Sequence, residues 1–236
     1  EAVLGRLGIE QWKTVTKLPA VPEDCKDVSQ WVYDQIQQSI ARLGVRQLQG
    51  VLLHRPVQLL EQTGSALYDA LQSIKAQGMT RKIGVSVYGP AELEALFDTY
   101  ALDLVQAPLN ILDRSLVLSG WASQLHDAGV EVHTRSAFLQ GLLLMPATQR
   151  PAKFNLWADV WNVWDRWLER QGLTPLQACM RYVTNLSQID RVVVGVDTAV
   201  QLNQIVEAAD GKLATLPEFD TLQDARLVNP ACWNQL

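Results

Sequence analysis

Short β-rich runs alternate with longer segments of helical period along almost the whole chain, and that alternation limits the possible folds more than any single motif does. Trp12 to Leu18 reads as a strand. Lys26 to Leu43 reads as a helix, with Val28, Val32, Ile36 and Ile40 on one face and Gly44 as its stop. Strand Leu48 to His54 precedes helix Glu61 to Ala76, and strand Lys82 to Val87 precedes helix Ala91 to Tyr100. Strand Asp103 to Gln106 precedes a helix within Ser115 to Ala128, and strand Val130 to Thr134 precedes a long connection. A Trp-bearing helix from Asn155 to Arg170 follows, then a helix from Pro175 to Leu186 with Thr174 as its N-cap and Pro175 at its first position. Strand Arg191 to Val194 and helix Thr198 to Ala209 complete the series.

A parallel neighbour cannot be reached through a tight turn, so such a series implies an α/β protein with parallel strands joined by crossover helices. The architectures that satisfy it are an open doubly wound sheet and a TIM (β/α)8 barrel. No GxGxxG follows the first strand, and polar residues fall at the carboxyl ends of several different strands, which favours the barrel. The series supplies about six of the eight β/α units a closed barrel has. The expected organisation is therefore a single barrel domain over residues 1–236, with two amino-terminal units preceding Glu1. Val3, Leu4 and Leu7 ahead of Gly8 are consistent with this, reading as the last turns of an amphipathic helix.

Composition removes several function classes. The 236 residues carry 20 Lys+Arg against 25 Asp+Glu, a net charge of -5, with no basic block to hold nucleic acid or an anionic membrane. The longest apolar run, Ala137 to Pro146, is interrupted by Gln140 and is far shorter than the roughly 20 residues a membrane span needs. Cys25, Cys179 and Cys232 are scattered without a CxxC spacing, so no metal site is expected, and a reduced, cytoplasmic protein is.

The chemistry-bearing residues sit at strand ends. Lys17 closes the first strand and His54 the second, while Ser86, Gln106 and Arg135 hold comparable positions on the next three. Each alone has an ordinary explanation, as a solvated lysine, a structural histidine or a capping glutamine; five convergent polar groups on one rim read as a site.

These residues lie in motifs that resemble those of the aldo-keto reductases: Thr14-Val15-Thr16-Lys17, Leu52-Leu53-His54-Arg55-Pro56, Arg81-Lys82-Ile83-Gly84-Val85-Ser86 and Gln106-Ala107-Pro108-Leu109-Asn110-Ile111-Leu112-Asp113-Arg114. The resemblance continues through Gln140-Gly141-Leu142-Leu143 and Val194-Gly195 and spans nearly the entire chain. It implies an eight-stranded barrel that exchanges hydride between NADP(H) or NAD(H) and a carbonyl or alcohol. Catalysis in that family uses Asp, Tyr, Lys and His. Lys17 and His54 match the last two, while the first two belong to a segment upstream of Glu1. A Tyr with an ordinary pKa of about 10 is a poor acid near neutrality until an adjacent ammonium lowers it, the role implied for Lys17. His54 is implied to donate a hydrogen bond to the substrate carbonyl.

Cofactor positions carry over with departures. Ser86 and Gln106 match residues that hold the nicotinamide carboxamide, but the Asn that commonly follows the Ser is Val87 here. Arg135 stands where many relatives stack an aromatic on the nicotinamide, and a guanidinium plane can also stack. Gly195, Asp197 and Thr198 lie in the loop that opens the last helix, where barrels often bind phosphate. A basic residue is common near Asp197 in relatives that prefer NADPH, so the acid argues against NADP; Thr198 with Gln201 also forms a capping-box pattern. A frequent Glu-Asn pair aligns with Gln204 and Ile205.

Trp157, Trp161, Trp164 and Trp167 form one helical stripe, which reads first as core and second as a substrate wall or protein-contact face. Tyr88 and Trp121 are further aromatic candidates near the rim. His126 reads as a surface residue and His133 as a packed one.

The function expected is an NAD(P)(H)-dependent oxidoreductase acting on a small-molecule carbonyl, polar or sugar-like, in a monomer or weak homo-oligomer with no nucleic-acid or membrane partner. The alternative is a barrel that has lost cofactor binding and serves as a non-catalytic binding or assembly protein, motivated by Val87, Asp197, Ile205 and the two β/α units expected but missing from the series.

Overall fold

The computed structural model describes residues 1–219 and 224–235. The chain divides into two compact units, Glu1–Ala107 with Asp127–Val132, and Pro108–His126 with His133–Leu236. Within each unit, strands that follow one another in the chain pair in parallel.

The first unit opens with α1 (Ala2–Arg6) and β1 (Val15–Leu18), followed by α2 (Val28–Leu43) and β2 (Leu48–Leu53). It continues with α3 (Gly64–Ala76), β3 (Thr80–Ser86), α4 (Pro90–Leu96) and β4 (Leu104–Pro108). β1, β2, β3 and β4 pair in parallel, with Lys17 opposite Leu52, Leu53 opposite Val85, and Ser86 opposite Gln106. Val51, Leu52 and Leu53 are consecutive and all buried, as a parallel strand covered on both faces requires. α2 forms because Asp27 caps it, accepting from Gln30 N at 2.9 Å, and ends because Gly44 turns left-handed at φ 68°. Its Val32 and Ile36 are fully buried, each stabilising the unit by about 1.5–3 kcal/mol.

Three local differences from the sequence reading have physical causes. The first strand begins at Val15, because sheet pairing starts only where Thr14 O accepts from Gln49 N; Trp12 remains exposed. The helix expected from Glu61 starts at Gly64, and Pro56–Leu60 form a 3-10 turn instead, pinned by Gln58, whose side chain bonds both Val21 N and Val21 O. In α1, Gly5 lies so close to α2 that an added Cβ would sit 2.1 Å from Arg42 O, while Val3, Leu4 and Leu7 are exposed.

The second unit carries α5 (Ser115–Leu118), α6 (Trp121–Asp127) up to His126, the end of β5 (Glu131–Arg135) from His133, α7 (Ala158–Gln171) and α8 (Pro175–Thr184). It then carries β6 (Arg191–Val192), α9 (Ala199–Ala209) and α10 (Ala225–Val228). The single helix expected within 115–128 is split because Gly120 takes φ 85°. β6 is shorter than expected, although Val193 N still donates to Thr134 O at 2.7 Å. The capping box at Thr174 forms in full, with Gln177 answering it.

The Trp stripe of α7 is core. Trp161, Trp164 and Trp167 are buried, and the rings of Trp164 and Trp167 stack at 5.7 Å. Trp157, half-buried, donates to Asp224 Oδ2 at 3.2 Å. Trp121 and His133 are buried, whereas Tyr88 and His126 are exposed. No helix among the described residues is long and apolar enough to cross a membrane.

At Gly84 the strands lie too close for a side chain, since a Cβ there would lie 1.7 Å from Leu104 O, a backbone atom that cannot step aside. Gly84→Ala is expected to destabilise the protein by about 3 kcal/mol, the upper range for overpacking, seen as a lower urea midpoint at unchanged m-value.

Candidate active site

In the first unit the parallel ladder brings four of the expected residues to neighbouring strand ends. Lys17 Nζ donates to Ser86 Oγ at 3.1 Å, across the intervening strand β2. Ser86 and Gln106 are paired in register, and Gln106 O accepts from Val87 N at 2.9 Å. His54 follows β2 directly, held by its N–H to Leu18 O at 3.1 Å. Lys17 and His54 are exposed at their strand ends, while Ser86 and Gln106 are buried at theirs. Val87 is fully buried and apolar, and offers no amide beside Ser86.

In the second unit a cleft of about 870 Å3 is lined by Arg135, Gln140, Gly141, Gly195, Asp197 and Gln204, among others. That volume suits an extended small molecule. One wall is backbone held in an unfavourable conformation: Ser136, Leu139 and Gln140 have φ of 63°, 46° and 54°, and Gly141 has 84°. Left-handed non-glycine residues are costly, and such runs persist where surrounding structure enforces them. The N–H groups of Gln140 and Gly141 have no acceptor among the described residues, and no atom lies within 4 Å of where a Cβ of Gly141 or Gly195 would sit. Free backbone donors beside side-chain-free glycines form a cradle for an anion.

Of the loop residues expected here, Arg135, Gly195 and Asp197 line the cleft, and Thr198 does not. Thr198 caps α9 instead, accepting from Gln201 N at 3.1 Å, and Gln201 Oε1 turns back to accept from Asp197 N at 2.8 Å. The reciprocal bond of a capping box therefore goes to the residue before the cap.

Sequence reading did not single out Asn110. It is fully buried, accepts from Leu112 N and Asp113 N, and donates to Ser136 O at 3.1 Å, tying the turn after β4 to the left-handed run. Its neighbour Asp113 accepts from Ser115, yet burial outweighs those bonds and the attraction of Arg135, and its pKa is raised. Arg114 lies 5.7 Å from the Tyr182 ring centre and 5.4 Å from that of Phe219, and donates to Pro217 O. Burial pushes the Tyr182 phenol up to about 12. The quoted motif contained Asn110, Asp113 and Arg114, but their partners are far away in sequence and gave no local signal.

The profile of the aldo/keto reductase family matches residues 9–224. The chain belongs to the aldo/keto reductase family. Solved aldo/keto reductases share its fold: the enzyme from Bacillus halodurans in its holo form superposes with TM-score 0.70 at 18% identity, covering 91% of this chain and 73% of that one. Its apo form gives 0.69, again at 18% identity, with coverages of 91% and 72%. A protein from Pseudomonas aeruginosa assigned as an aldo-keto reductase gives 0.61 at 17% identity, covering 88% and 72%. No curated protein sequence matches. The aldo/keto reductase fold is a TIM barrel, and the parallel strands and crossover helices of this chain belong to that fold. Family members are NAD(P)H-dependent oxidoreductases acting on small-molecule carbonyls.

The raised pKa of Asp113 makes a signed prediction. A carboxyl that binds its proton more tightly when folded contributes stability that is full below the unfolded value near 3.8 and is lost as pH rises through the folded value. The stability of the native protein relative to Asp113→Asn should therefore fall as pH rises through that window, measured by urea denaturation at each pH. Arg135→Leu removes the charge that opposes the shift, and should move the Asp113 carboxyl titration, followed by 13C NMR, to still higher pH.

Proposed function

We propose that this aldo/keto reductase reduces a small, hydroxylated or sugar-like carbonyl compound at the expense of a nicotinamide nucleotide, in the cytoplasm. The observation that carries the reading is the contact between Lys17 Nζ and Ser86 Oγ at the ends of parallel strands, with Gln106 in register beside Ser86. Hydride addition leaves negative charge on the carbonyl oxygen, and a fixed positive charge and a hydrogen-bond donor near that atom lower the barrier. Lys17 provides the charge, and by the same field holds down the pKa of the phenol through which this family delivers the proton. His54 donates to the carbonyl oxygen and orients it, a task a neutral imidazole performs.

The nucleotide supplies the hydride when bound, and the residues present suit it. Ser86 and Gln106 are buried, polar and paired, as carboxamide recognition requires, although Val87 leaves that group one partner fewer. In the second unit Arg135 offers a planar cation, and the N–H groups of Gln140 and Gly141 offer phosphate donors. Gly195 keeps the wall open, Asp197 lines the cleft, and Thr198 fixes the start of α9.

The reading is tested by Lys17→Met. The substitution takes a donor from the buried Ser86 hydroxyl, so a stability loss of about 1–3 kcal/mol is expected in a protein that remains folded, while kcat falls by at least about 100-fold, the low end for an acid–base element. Retained turnover removes Lys17 from the mechanism. If neither NADH nor NADPH quenches tryptophan fluorescence at millimolar concentration, the alternative of a non-catalytic binding barrel replaces this one.

A further inference from the structure

We infer that Gln58 is a positioning residue for the proposed chemistry: its amide clamps the loop that follows Lys17 to the turn that follows His54, and so fixes where the Lys17 ammonium stands; the inference rests on the function just proposed. The clamp has two points. Gln58 Oε1 accepts from Val21 N at 2.9 Å, and Gln58 Nε2 donates to Val21 O at 3.0 Å. Val21 lies four residues beyond Lys17 and Gln58 four beyond His54, so the pair of bonds joins the two segments at the same remove from the two candidate groups. A primary amide presents a donor and an acceptor side by side in one plane, as the backbone of a neighbouring strand would.

The two sides of the clamp differ in how firmly they are held. On the His54 side the 3-10 turn Pro56–Leu60 is secured without it. Tyr100 Oη donates to Leu59 O at 2.7 Å, Leu59 is buried, and Gly64 comes so near that a Cβ there would lie 1.9 Å from Leu59 O. On the Lys17 side the last backbone bond runs from His54 N to Leu18 O at 3.1 Å, and the next from Cys25 N to Pro22 O at 3.1 Å. Between them, Pro19, Ala20 and Val21 make no hydrogen bond among the described residues except those to Gln58. β1 is only four residues long and, within the first unit, pairs with β2 alone, so bonds just past its end bear strongly on its last turn of chain.

The consequence falls on Lys17. Its exposed side chain reaches Ser86 Oγ at 3.1 Å, and the field of its ammonium at a developing oxyanion or at a phenol weakens with distance. Catalytic groups have to be held within about 0.5 Å, and a misplacement of about 1 Å can cost on the order of 100-fold in rate. Without the clamp, the N–H and C=O of buried Val21 have no partners, so the loop moves to regain water and draws the end of β1 with it. Because the turn that carries Gln58 is the firmly held side, Gln58 acts through Lys17.

The test is steady-state reduction of DL-glyceraldehyde by the whole chain, with NADH and with NADPH. Gln58→Met keeps the length of the side chain and removes both bonds, and should lower kcat about 10- to 100-fold while the KM for nucleotide stays within about threefold. Gln58→Glu keeps the acceptor for Val21 N and loses the donor to Val21 O, and should lower kcat in the same sense. Both are also made in the Lys17→Met background, where each should cost less than about threefold, because a residue that acts through Lys17 has nothing left to position. Urea denaturation confirms that each variant is folded, and Gln58→Glu carries the comparison where Gln58→Met is not. An unchanged kcat in the folded Gln58 variants, or an equal loss with and without Lys17, overturns the inference and leaves the oxidoreductase reading intact. Absence of turnover by the native chain with either nucleotide overturns that reading, and the inference with it.

Discussion

Parallel strands hold one register because their evenly spaced hydrogen bonds and their doubly buried side chains leave no face on which a slipped pairing could be tolerated. In the first unit that register is enforced at Gly84, whose missing Cβ lets β3 lie against the backbone of β4 at Leu104. Ser86 then falls opposite Gln106, and Lys17, two strands away, reaches Ser86 Oγ. A shift of one residue at β3 would bury the serine hydroxyl without the lysine and turn Val85 toward the rim. The candidate chemistry of the rim is thus a consequence of a backbone contact that carries no chemistry itself.

The second unit is held differently. Three non-glycine residues between Ser136 and Gln140 are left-handed, an arrangement that costs of order 1–3 kcal/mol per residue and must be held from outside. Asn110 supplies part of that hold through Ser136 O, while Leu139, fully buried, anchors the middle of the run. What the strain leaves behind is a stretch of backbone whose donors face no partner, next to two glycines with open space where side chains would be. Ile205, on the cleft lining, joins Met180 and Ala208 in a small apolar cluster, and most of the lining is apolar.

The tryptophans show how the same sequence pattern serves packing. Trp161 donates to Phe154 O at 2.9 Å and lies under the Arg150 guanidinium, which is itself paired with Asp165. Trp167 reaches Thr215 Oγ1 at 3.4 Å. Trp164, with no exposed surface, has a buried indole N–H without an acceptor among the described residues, a cost of about 1–3 kcal/mol accepted for the stacking and apolar contact of its ring. A stripe of large rings on one helix face is thereby used to seal a core.

The series of strands and helices, the helix stop at Gly44, the cap at Thr174, and the strand-end positions of Lys17, His54, Ser86 and Gln106 were legible in the sequence alone, while the cap at Asp27 was not read from it. Each rests on periodicity or on a contact within a few residues, and such interactions are written locally. The 3-10 turn at Pro56, the break at Gly120, the left-handed run from Ser136 and the role of Asn110 were decided only in three dimensions. In the turn and in the left-handed run, a partner distant in the chain holds the backbone where local preference would not: Val21 bonds Gln58, and Ser136 bonds Asn110. Asp197 belongs to both categories. Its charge was plain from the sequence, but its place in a cleft with one cation, beside donors already satisfied by Gln201 and Thr198, required the folded chain, because neighbours across a cleft wall are fixed by packing and not by order.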